Sequence, residues 1–325
     1  MFRNVTKRIS GQTIGLLSFC LLHLSATSLD AQTVTAEKQY YDTGARGEFE
    51  ITQGYRQDKL TWSVSGKHHK PNILSELQFK DVRIYQTRIA AKFTMNDYFL
   101  RMQAGYGDIH SGHIRDSDYG KDDRRGEFSR SRSKITGSHT LDAKLSWGLN
   151  IKPVSYLRVS PLLGYMWNLD KFRFKHGTQT RLFGEKFHEK IHGLHSTYKS
   201  RWDAPFIGVG AGYDPLKDLS IYGEYNFLFA LRNSARGFWN LRNEGRGMHF
   251  DQHSKRSKGY GHIAIGGIGY EFFENYILKV EYQYSWFQAK GGKIHGHEGH
   301  HSFRQPFHKA KLTSQEVRLC LDYAF

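Results

Sequence analysis

Gln315-Glu316-Val317-Arg318-Leu319-Cys320-Leu321-Asp322-Tyr323-Ala324-Phe325 ends the chain and decides its fold. Val317, Leu319, Leu321, Tyr323 and Phe325 alternate with Glu316, Arg318, Cys320, Asp322 and Ala324. Successive side chains of a strand point to opposite faces, so one face here is apolar and the other almost wholly polar. Such a strand suits lipid on one side and a polar interior on the other.

Working outward, the same alternation recurs nine more times. The segments are Glu48 to Gln57, Asn72 to Phe93, Tyr98 to Gly107, Leu141 to Ile151, Leu157 to Trp167, Pro205 to Tyr213, Leu219 to Phe229, His262 to Phe272 and Tyr276 to Trp286. Pro161 removes one ladder donor from the fifth. Asp81 and Arg83 interrupt the lipid face of the second, which predicts a bulge or a portion above the membrane.

The connections alternate in length. Asn96-Asp97, Lys152 to Ser155, Asp214 to Asp218 and Glu274-Asn275 are tight turns, whereas 108–138, 170–201, 230–258 and 288–311 are long and polar. Short turns on one side and long loops on the other predict a ten-stranded antiparallel transmembrane β-barrel, all-β, with long extracellular loops. Tyr98, Trp147, Tyr156, Trp167, Tyr213, Tyr276 and Trp286 fall near strand ends, where interfacial aromatics belong.

Bulk properties agree. The 325 residues include 33 Gly and 47 aromatics, with a mean hydropathy of −0.62. No apolar run reaches the ~18 residues of a spanning helix, which excludes a helical membrane protein. Arg3, Lys7 and Arg8 precede the apolar Ile14 to Leu24 and the small residues Ala26, Ser28 and Ala31. Residues 1–31 therefore read as an export signal cleaved after Ser28 or Ala31, leaving 32–325 as one barrel domain. Cys20 leaves with the signal, so Cys320 has no intramolecular disulfide partner.

Charge is concentrated in the four long stretches, which hold 27 Lys or Arg against 12 Asp or Glu. An exposed basic rim attracts lipopolysaccharide phosphates and other anionic polymers. An exported barrel without a basic helix or stacking motif is not expected to bind nucleic acid. His295, His297, His300 and His301 are spaced closely enough to ligate a metal, with a polar His-rich loop as the alternative. No cofactor is expected.

Two family resemblances follow from local motifs. Ser75-Glu76-Leu77-Gln78-Phe79-Lys80, Tyr198-Lys199-Ser200-Arg201 running to Pro205-Phe206-Ile207-Gly208, and Arg256-Ser257-Lys258 resemble the omptin barrels, ten-stranded outer-membrane endopeptidases. Ser75 to Gln86 and Gly54-Tyr55-Arg56 to Trp62 resemble the Protochlamydia-type outer-membrane proteins, a group of surface barrels or porins. The terminal Tyr323 and Phe325 resemble the signal by which such chains engage the barrel-assembly machinery.

The omptin resemblance implies an Asp-x-Asp and an Asp-x-His pair that activate water across the barrel mouth. Asp116-Ser117-Asp118 matches the first pair. The second is missing where it belongs, above the seventh strand, which reads Asn233-Ser234-Ala235-Arg236-Gly237-Phe238-Trp239. Asp251-Gln252-His253 has the right residue types but lies nearer the eighth strand. A surface or porin-like barrel, anion-preferring if it conducts, or an adhesin is the leading expectation. An endopeptidase cleaving near basic residues is the alternative.

Overall fold

In the computed structural model residues 45–242, 247–299 and 301–325 are described. They form a closed ring of ten antiparallel strands. The strands are β1 (Ala45–Val64), β2 (Ser75–Met95), β3 (Tyr98–Lys121), β4 (Arg125–Ile135, Ser138–Leu149 and Ile151–Val154) and β5 (Leu157–Leu182). Then come β6 (Glu185–Ile191 and Thr197–Leu216), β7 (Leu219–Leu228 and Arg232–Trp239), β8 (Met248–Ser254 and Tyr260–Phe273), β9 (Tyr276–Lys290 and Gly292–Glu298) and β10 (His301–Ala324). β10 closes the ring on β1 from Glu48↔Ala324 upward. The predicted export signal lies outside the described residues.

The C-terminal alternation faces as its chemistry requires. Val317, Leu319, Leu321, Tyr323 and Phe325 are exposed, and Glu316, Arg318, Cys320, Asp322 and Ala324 are buried. This is the reverse of a water-soluble sheet, where apolar side chains turn inward. The same belt runs round the ring through Ile51, Ile89, Met102, Leu145, Leu163, Ile207, Ile268 and Val280. Aromatic pairs mark its short-turn edge: Tyr98 with Trp147 at 5.6 Å, Tyr156 with Tyr213 at 6.0 Å and Tyr276 with Tyr323 at 4.9 Å. At the other edge Tyr85 stacks on His110 at 4.7 Å, and Tyr260 meets Trp286 at 5.3 Å.

Inside the belt the polar faces neutralise one another. Glu224 accepts from Lys144 at 2.6 Å and from Arg101 at 2.5 Å. Lys279 lies between Glu50 and Asp322, and Arg318 donates to Glu281. Arg88 bridges Asp142 and Glu316, while Arg56 donates to Asp58. Charges removed from water need such partners, and removing one partner leaves the other uncompensated.

Two expectations about the strands are corrected. The stretches expected to be long loops are largely strand: β3 runs on to Lys121, β5 to Leu182, and β10 begins at His301. The ladder therefore rises well above the lipid belt, where both faces meet protein or water and a lipid-type alternation is no longer required. Strand β2 starts at Ser75 rather than Asn72, and its irregularity is a bulge. Asp81 has φ +50°, and the β2–β3 register slips between Lys80 and Arg83. Two residues on one strand against one on the other bend the wall there.

Above the belt the interior changes from ionic to aromatic. Leu60, Leu77, Phe79, Phe172, Trp202 and Phe206 are each at most 2% exposed. Trp62 of β1 meets Tyr198 of β6, five strands away round the ring of ten, with ring centroids 6.1 Å apart. Phe79 of β2 meets Phe172 of β5 at 4.3 Å and Tyr198 at 5.3 Å. Trp202 of β6 meets Phe287 of β9 at 5.9 Å. Side chains from opposite walls touch, so this layer closes the lumen.

Replacing Glu224 with Ala leaves Arg101 and Lys144 facing each other without their shared carboxylate. The folded barrel is expected to lose about 3 kcal/mol, measured as a lower urea midpoint in detergent micelles by the gel shift between folded and heated protein.

Candidate functional site

The mouth above the aromatic layer is built from strand extensions. Beyond the bulge, Phe79 pairs with Ile114, Leu77 with Asp116 and Ser75 with Asp118. Directly opposed residues share a face, so buried Phe79 and Leu77 fix Asp116 and Asp118 as inward. Across the other ladder Asp116 faces Ser131, and Asp118 faces Ser129. Burial and the Asp118 charge push the Asp116 carboxyl up to about 7, against the opposing pull of Arg242, the Trp239 indole and Ser75. Asp118 is raised by burial as well. Two neighbouring carboxyls that share a half-buried site resist simultaneous ionisation.

The other half of the omptin constellation is not brought to them. Asp251 and His253 alternate with buried Phe250 and Gln252, and both face outward. Asp251 accepts from Arg236 at 2.7 Å on the exposed wall. The inward positions of β7 are Asn233, Ala235, Gly237 and Trp239, set opposite buried or inward residues of β6 and β8. Trp239 reaches the Asp116 carboxyl, and Gln252 accepts from the Trp62 indole at 2.5 Å. The Asp116 and Asp118 carboxyls resist double ionisation, but the inner faces of strands β7 and β8 carry no imidazole among the described residues.

The histidine cluster also faces outward. His295 and His297 lie on the exposed face of β9, opposite Asp251 and His249, and His301 opens β10 opposite Glu298. Among the described residues no three His, Cys, Asp or Glu side chains are placed to hold a metal ion. His300 lies outside the described residues.

The basic rim expected from the long stretches lies on the outer wall just above the belt, and the residues the sequence reading missed in it are Lys59 and Lys80. Lys80 is depressed below the usual ammonium range by burial and by the charges of Arg115, Lys59 and Arg132. Lys309 is depressed likewise by burial and by Lys290, Arg124 and Lys311. His139 sits among Lys171, Arg173 and Lys199. Farther round, the single buried carboxylate of Asp203 is shared by Arg232 at 3.1 Å, Arg256 at 2.6 Å and Arg201 at 3.5 Å, and it accepts from the Tyr165 hydroxyl at 2.8 Å. Like charges held this close repel, and a polyanion would relieve that repulsion. The signal was present as alternation: Lys171, Arg173 and Lys175 interleave with Phe172 and Phe174. Aromatics turn in there, and cations turn out.

Comparison with known proteins decides the family. The model of the Protochlamydia outer membrane protein family matches residues 50–325, nearly the whole described barrel. The chain belongs to that family. No curated protein sequence is significantly similar to it. Among solved structures, outer membrane protease OmpT from Escherichia coli superposes with a TM-score of 0.74 at 15% identity, covering 86% of this chain and 97% of that one. The toluene transporter TbuX from Ralstonia pickettii gives a TM-score of 0.37 at 7% identity, over 86% and 89% of the two chains. The OmpT likeness places this family member in the omptin-like fold and leaves the chemistry to its own residues.

A carboxyl raised in the fold from 3.8 to about 7 favours folding while it is protonated. Its contribution is complete below the unfolded value and is lost as pH rises through the folded one. Asp116→Asn should therefore stabilise the barrel by on the order of 1–2 kcal/mol at pH 8 and by less than half of that at pH 5, read from urea midpoints at the two pH values.

Proposed function

We propose that this outer-membrane barrel is a non-conducting surface protein that holds anionic polymers on its cationic collar. Its first partners would be the phosphates of lipopolysaccharide in its own leaflet, followed by anionic glycans outside. The observation that carries this reading is the outward placement of cation groups such as Lys59, Lys80, Arg115 and Arg132 immediately above the lipid belt. Phosphate headgroups lie at that level, and several adjacent charges bind a polyanion far better than one does.

Transport is disfavoured by the contacts between Trp62, Phe79, Phe172 and Tyr198 across the lumen. Ten strands enclose a narrow lumen, and above the belt side chains from opposite walls meet across it. An endopeptidase is the second reading, favoured by the inward Asp116–Asp118 pair and opposed by the lack of an imidazole on the facing strands.

Folded protein should bind lipopolysaccharide and heparin with strong salt dependence and pass no steady current across a planar bilayer. The triple variant Lys80→Gln/Arg115→Gln/Arg132→Gln should weaken that binding about tenfold or more with folding unchanged. Stepwise conductance from the native barrel, or unaltered binding by the triple variant, would refute the proposal. Cleavage of peptides at paired basic residues, abolished in Asp116→Ala, would establish the second reading instead.

A further inference from the structure

Below the aromatic layer the lumen is not filled. A cavity of about 320 Å³ remains within the membrane-spanning part of the barrel, far above the ~10–15 Å³ that admits one water. Arg46, Asn150, Arg158, Ser220 and Ala324 line it near the short-turn end of the strands. It therefore opens toward the periplasm and is shut toward the outside.

Its walls are electrically lopsided. On the side formed by β2 to β5, cations outnumber carboxylates. Arg88, Lys92, Arg101, Lys144 and Arg158 line it there with Asp142. Lys92 at 3.0 Å and Arg46 of β1 at 3.8 Å share Glu48 of β1, and Arg101 and Lys144 share Glu224 of β7. Arg158 has no carboxylate within ion-pair distance among the described residues. It lies within electrostatic reach of Lys92, as does Arg101. The opposite wall is the reverse, with Lys279 between two carboxylates, Glu50 and Asp322.

Arg158 is seated against the wall over a glycine. Its guanidinium lies across Gly212, where a Cβ would come within 3.0 Å of Nη2. At Gly210 an added Cβ would find its nearest neighbour, Ser160, 3.7 Å away, so the floor stays open there, whereas Asn226 and Leu162 fill the space over Gly208. Several cations around an open floor form a binding site for a small multiply charged anion, because each contact is charge-assisted.

We infer that the periplasmic end of the lumen binds a small phosphate-class dianion between Arg158, Lys92, Arg101 and Arg46. This site is separate from the collar: it faces the other side of the membrane and is closed off by the aromatic layer.

Inorganic phosphate is the probe, titrated into the folded barrel in non-ionic detergent at low salt and followed by calorimetry and by ³¹P line-broadening. Saturable one-to-one binding is expected. It should weaken about tenfold in Arg158→Gln, which removes 1.4 kcal/mol, and should be partly kept in Arg158→Lys. Lys92→Gln is a second variant on the same floor and should weaken binding too. The collar triple variant should bind phosphate as the native protein does. Absence of saturable binding, binding indifferent to both Arg158→Gln and Lys92→Gln, or binding lost in the collar variant would each overturn the inference. The gel shift on heating shows that each variant is folded, so a loss is not mistaken for collapse.

Discussion

Lipid offers no hydrogen-bond partner to a backbone, and the structure depends on that fact. A strand crossing the bilayer must satisfy every N–H and C=O against a neighbour, and a sheet must have no edge. The contact that meets this demand is the ladder between the first and last strands, running unbroken from Glu48↔Ala324 to Ser63↔Lys309. Once the ring is closed, each remaining residue faces either in or out. The polarity of the surroundings then decides which residue types can stand at each position.

That rule gives the barrel two levels with opposite patterns. Within the bilayer, apolar side chains turn out and ion pairs such as Glu224 with Lys144 turn in. Above it water replaces lipid, and the arrangement inverts: Phe172 and Tyr198 turn in while Lys171 and Lys199 turn out. The upper half is built like a soluble protein, with an apolar core and a charged surface. The lower half is built like a membrane protein, with a charged core and an apolar surface. The aromatic layer is where the upper core caps the lower lumen. It explains why one chain presents a cationic collar outside and, beneath it, a charged cavity shut toward the outside.

Much of this was legible from residue order. Period-two alternation over Tyr276 to Trp286 and Gln315 to Phe325 shows membrane strands because lipid is an unforgiving solvent, and the short turns show which ends lie together. The upper strands were harder to read. With protein on one side and water on the other, polar residues are tolerated at many positions, so 108–138 and 170–201 look like loops by composition although they are ladders. The side-facing of Asp251 and His253 was available by parity, since Phe250 between β7 and β9 must turn in and its neighbours must turn out. The raised carboxyl of Asp116 was not available. It comes from burial in the assembled mouth and from the Asp118 charge, with Trp239 and Arg242, more than 120 residues away in sequence, pulling the other way. The cationic groupings of the collar are likewise products of register: Lys59, Lys80, Arg115 and Arg132 come together only after four strands are aligned and β2 has bulged at Asp81.

The most direct test of this two-level account is a spin-label accessibility scan along 309–325 in lipid bilayers, comparing oxygen with a water-soluble nickel reagent. Odd positions from 317 to 325 should be open to oxygen, odd positions from 309 to 315 should be open to nickel, and the even positions between them should be shielded from both. Nickel access at 317, 319 and 321, or no period of two along the segment, would contradict it.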